Sequence, residues 1–92
     1  MAEVRASVPT AHASRYLQQL CKHWAHKFEV SYDPGQGRID MGEGRVVSMT
    51  ARPGALVVTV TAGDPDRMQQ VVAAHLERFA FRETLEFDWR PV

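Results

Sequence analysis

Between His12 and Phe28 the chain has no glycine, proline or β-branched residue, and its apolar residues recur at three- and four-residue steps. Ala13, Tyr16, Leu17, Leu20, Cys21, Trp24 and Phe28 therefore share one side of a helix that turns about 100° per residue. A helix this one-sided must lie against another layer. Its start is expected at Thr10 or Ser14, both good N-cap residues, and its end at Phe28.

Everything around this stretch supplies the other layer. Residues 3–8, "EVRASV", alternate so that Val4, Ala6 and Val8 face one way and Glu3, Arg5 and Ser7 the other, which predicts a strand. After the helix come "FEVSY", "GRIDMG", "GRVVSMTA" and "ALVVTVTA", separated by "DPGQG", "GEG" and "RPG", each with the glycine or proline that a tight turn requires. Asp64 and Pro65 then open a second helix as N-cap and first-turn residue, with Met68, Val71, Val72, Leu76 and Phe79 as its apolar stripe. "TLEFDW" (84–89) closes the pattern, with Leu85, Phe87 and Trp89 inward. The order β-α-β-β-β-β-α-β predicts an α+β two-layer sandwich, a mostly antiparallel sheet with both helices on one face.

At 92 residues, 45% of them apolar, the chain suits one domain spanning 1–92. Eleven basic residues balance eleven acidic ones, so the general attraction of a basic domain for nucleic acid is absent. The residues expected on the open sheet face include Arg5, Ser7, Arg38, Asp40, Ser48, Thr50, Thr59 and Thr61 and no aromatic side chain. Stacking of single-stranded RNA there is not expected. The single Cys21 has no disulfide partner within the chain, and neither a signal-peptide core nor an apolar run of roughly 20 residues is present. The expectation is a cytoplasmic domain with no membrane and no nucleic-acid partner.

"CKHWAHKF" (21–28) looks like a metal site until it is placed on the helix. His23 and His26 lie roughly 60° apart, and Cys21 at least about 140° from either, so the three do not converge on one ion. Two histidines fall short of the four ligands of zinc, and neither a metal nor a cofactor is expected. The histidines instead join His12, Arg15, Lys22 and Lys27 on a cationic face. His75 falls within the apolar stripe of the second helix, where its ring must find a hydrogen-bond partner, on the backbone or a carboxylate. Glu86 and Asp88 project from one side of the last strand, which suits edge protection. "GEG" and "GQG" lack a following helix or Lys-Ser/Thr and read as turns.

Two segments, "SRYLQQLCKHWAHKF" (14–28) and "HLERFAFRETLEFDW" (75–89), resemble the hallmark stretches of the bacterial domain-of-unknown-function family numbered 2218. The resemblance extends over nearly the whole chain. It implies a small α+β fold similar to TATA-binding-protein-like domains. It also implies an association with iron acquisition, because similar segments occur appended to siderophore-interacting ferric reductases. The resemblance places weight on Tyr16, Cys21, Lys22, His23, Trp24 and His26 and on His75, Glu77, Arg78, Phe79, Phe81, Arg82 and Glu83, all of which match the family pattern.

The leading expectation is a non-enzymatic binding module that engages an anionic small molecule or a protein partner through Lys22, His23, His26, His75, Arg78 and Arg82. A siderophore-related reductase is the partner implied by the resemblance. No nucleophile motif or nucleotide loop supports catalysis, so no catalytic residue is assigned. The alternatives are a small enzyme using His75 with Cys21 or Glu86, and a homodimeric interaction domain built on the open sheet face or an unpaired edge.

Overall fold

A computed structural model of the chain describes residues 2–92. Six strands and two helices follow in the expected order: β1 (Ala2–Pro9), α1 (Ala13–Trp24), β2 (Glu29–Tyr32), β3 (Gln36–Gly42), β4 (Arg45–Arg52), β5 (Ala55–Ala62), α2 (Pro65–Phe79) and β6 (Arg90–Pro91). The strands form one antiparallel sheet in the order β2-β3-β4-β5-β1-β6. α1 packs on β2 to β5, α2 packs on β5 and β1, and the helices touch each other. Among the described residues no helix is long and apolar enough to cross a membrane.

Period-two alternation places Val4, Ala6, Val8, Ile39, Val47, Met49, Leu56, Val58 and Val60 beneath the helices, all buried. The opposite face carries Arg5, Ser7, Arg38, Ser48 and Thr50, exposed or half-buried as expected. From the helix side Leu17, Leu20 and Cys21 of α1 and Val72 and Leu76 of α2 are wholly buried. Each such leucine contributes about 1.5–3 kcal/mol of transfer free energy. The hairpin β3–β4 turns on Glu43 and Gly44, both at positive φ (57° and 77°), the pairing that matches the right-handed twist of the strands.

The ends of elements depart from expectation. α1 stops at Trp24, not Phe28: Lys27 and Phe28 both donate backbone N–H to the Trp24 carbonyl (3.0 and 2.9 Å), and this turn drops the chain to the sheet edge. The α1 N-cap is His12, without a side-chain cap. Thr10 acts one step earlier, its hydroxyl accepting from the His12 N–H (3.0 Å), while the Ser14 hydroxyl donates to the Pro34 carbonyl (2.6 Å). α2 begins as expected, with the Asp64 carboxylate accepting from the Arg67 N–H. Val71 lies off the buried stripe, at 37% exposure.

The last strand is also displaced. Residues 84–89 are not part of the sheet; only Arg90 and Pro91 pair with β1, opposite Arg5 and Val4. Burial nonetheless alternates through the segment, with Leu85 buried and Phe87 and Trp89 half-buried and stacked at 5.9 Å. Alternation reports which side chains turn inward, and it carries no information on whether the backbone joins a ladder.

One contact sets the height of α1. A Cβ on Gly37 of β3 would stand 2.7 Å from Cys21 Sγ and 3.3 Å from Leu17 Cδ2. Gly37→Ala is expected to destabilise the fold by about 1–3 kcal/mol through overpacking. In a Cys21→Ala background the same change should cost measurably less, because the sulfur it strikes is gone. Urea midpoints of the four proteins of this double-mutant cycle check both expectations.

Candidate functional site

The C-terminal end of α1, the face of α2 from Arg67 to His75 and the strand ends beneath them enclose an open groove of about 890 Å³. Trp24, Met41, Ala62 and Met68 form its apolar floor, with Phe28 and Val71 at the sides. Its rim carries His23, His26 and Lys27 from α1 and the turn after it, Arg45 from β4, and Arg67 and His75 from α2. Asp64 is the one carboxylate residue lining the groove, and it is engaged as the α2 N-cap.

A row of rings crosses this region. Phe28 meets Trp24 edge-on at 6.2 Å, Trp24 lies 4.9 Å from His75, His75 lies 5.1 Å from His23, and His23 meets Phe79 at 6.0 Å. His75 Nδ1 sits 2.8 Å from the Val71 carbonyl oxygen. A carbonyl only accepts, so Nδ1 carries the proton and Nε2 of the neutral ring is left as an acceptor. The imidazole has thus found the backbone partner that its position in the stripe demanded. Arg45 is held by the Met41 and Gly42 carbonyls (3.0 and 3.3 Å), and Lys27 Nζ stands 5.8 Å from the centre of the Phe28 ring.

The expected binding residues divide into three groups. His23, His26 and His75 share the groove. Lys22 and Arg78 are exposed and line neither this groove nor the next. Arg82 lies in a second groove of about 450 Å³ with His12, Arg15, Tyr16, Gln19, Phe79, Phe81 and Glu83. Among the described residues no three metal-ligating side chains converge. Trp24, on the apolar stripe of α1, is buried in the core and also floors the groove. Arg45 and Arg67 reach the groove through sheet pairing and the placement of α2, and no local sequence signal connects them to α1.

Cys21 is buried against Gly37, and burial pushes its thiol up to about 11, which keeps it protonated at neutral pH. Neither Cys21 nor Glu86 lines the groove that holds His75.

Beside the second groove a three-residue contact ties α1 to the chain beyond α2. The hydroxyls of Tyr16 and Thr10 both donate to Glu83 Oε2, Thr10 at 3.0 Å. The Tyr16 bond, assisted by Thr10 and the nearby His12, holds the Glu83 carboxyl below its usual range. Burial, followed by the bond and charge of Glu83, pushes the Tyr16 hydroxyl up. A depressed carboxyl pKa stabilises the fold above the unfolded value of about 4.3, and that contribution is lost as pH falls through the lower folded value. Urea midpoints measured from pH 7 to 3 should therefore fall more steeply below about pH 4.3 in the native chain than in Tyr16→Phe, which lacks the donor.

Residues 5–90 match the profile of a family described as an uncharacterized protein conserved in bacteria, DUF2218. The chain is also similar to PA4090 from Pseudomonas aeruginosa, whose structure was solved by NMR. The two are 41% identical and superpose with a TM-score of 0.81 over 99% of this chain and 97% of that one. No curated protein matches the sequence.

Proposed function

We propose, from the premise that the chain belongs to the bacterial DUF2218 family, that it is a binding module whose His23–His75 groove takes an anionic small molecule with an aromatic or chelating body. The observation that supports this reading is the row of rings bordered by Lys27, Arg45 and Arg67, with the single carboxylate of the rim occupied as a helix cap. Apolar floors with a few convergent charged groups are the usual form of a small-molecule site. An open groove of about 890 Å³ has room for a ligand of several rings.

A catechol-type siderophore complex joins aromatic rings to a net negative charge, the two features that this lining complements. The association with iron acquisition implied by the family resemblance makes that complex the first ligand to test. In this reading a siderophore-related reductase is the natural recipient of the bound complex, and Lys22 and Arg78, exposed on the helices nearby, extend the positive field around the groove.

The test is an amide NMR titration with a gallium-loaded catecholate siderophore, a diamagnetic stand-in for the ferric complex. Saturable shifts are expected at His23, Trp24, Lys27 and His75. Arg67→Ala and Lys27→Ala should each weaken binding about tenfold, the effect of losing one charge-assisted contact. Shifts that do not saturate, or affinities unchanged in both variants, would reject this groove as the site.

A further inference from the structure

We propose that the second groove, between the first turns of α1 and the turn that follows α2, is a docking surface for an acidic segment of a partner protein bearing one apolar anchor residue. Phe81 is 80% exposed, more than any other large apolar residue among the described residues. Its exposure is built into a fixed turn. The Glu83 N–H donates to the Ala80 carbonyl (3.1 Å), Ala80 and Leu85 are buried on either side, and the Glu83 side chain is tied to Tyr16 and Thr10. The Arg82 guanidinium lies over the Phe81 ring, 5.3 Å from its centre, which sets positive charge against the exposed aromatic ring.

The charge of this groove specifies the partner. Arg15 and Arg82 both line it, and neither takes part in the ion pairs found among the described residues, Arg38–Asp40 and Arg90–Asp88. His12 adds a third basic side chain. The one acidic residue, Glu83, receives both of its hydroxyl donors on a single oxygen and is held against the α1 side of the groove. Arginines outside any ion pair, in a groove that also holds an exposed aromatic ring, are the composition enriched at the centres of protein interfaces, and carboxylates are their complement. The surface is separate from the His23–His75 groove: the two share no lining residue, and the nearest link is the contact of the Phe79 ring with His23.

The probe is a panel of short capped peptides that combine aspartate or glutamate with one leucine, phenylalanine or tryptophan, matched by a panel with lysine in place of the acids. Each is titrated into the isotope-labelled full chain. At least one acidic peptide should give saturable shifts centred on Arg15, Gln19, Phe81 and Arg82, with the amides of Lys27 and Arg67 unmoved. Phe81→Ala and Arg82→Glu, both at exposed positions, should each weaken that binding by about tenfold or more while leaving the rest of the spectrum folded. The proposal is overturned if no acidic peptide saturates below about millimolar concentration. It is equally overturned if lysine peptides bind as well, if the shifts map elsewhere, or if phosphatidylglycerol vesicles and not peptides engage Phe81.

Discussion

The contact on which the remaining geometry depends is the close approach of α1 to the sheet at Gly37. A residue with no side chain in β3 lets Cys21 and Leu17 settle directly on the backbone, and this sets how low the helix rides. Trp24 and His23 lie one turn further along α1, so their height above β3 and β4 follows from that seat. Interiors are packed too densely to absorb an extra methyl without displacing a neighbour. The buried sulfur of Cys21 is thus a spacer, and the lip of the main groove inherits its position.

Much of the fold was legible because each local signal pointed the same way. The stripe from Ala13 to Trp24, the alternation of β1 and β5, the glycine turns of the meander and the Asp64–Pro65 start of α2 all describe interactions within a few residues of one another. The spacing of apolar residues does not say where an element stops or which backbone groups pair. Phe28 continues the helical spacing, but the turn closed on the Trp24 carbonyl ends the helix before it. Leu85, Phe87 and Trp89 alternate as a strand would, and the backbone between them still stays off the ladder until Arg90.

The binding residues show the same division. His23, His26 and His75 line one groove because α1 and α2 pack against each other, and the single apolar stripe of each helix implies that packing. Arg82 lies only seven residues beyond His75, yet it belongs to the other groove: α2 ends at Phe79 and the following turn redirects the chain. Arg45 and Arg67 enter through sheet pairing, which a one-dimensional pattern does not encode. Nor does any periodicity announce that Thr10, Tyr16 and Glu83 will meet, since they come from the loop before α1, from α1 and from the turn after α2.

The position of β1 has a consequence for how the molecule is made. It is the first strand in the chain, yet it lies between β5 and β6, with Ala2 opposite Ala62 and Arg5 opposite Arg90. The meander β2 to β5 is joined by short hairpins and is able to assemble as it leaves the ribosome, but the N-terminal strand has no hydrogen-bonding neighbour until some fifty residues later. Until β5 is made, Val4, Ala6 and Val8 have no strand to cover them. Among the strand pairs of the sheet, those of β1 with β5 and β6 accordingly join the most distant stretches of chain, and closing them costs the most chain entropy.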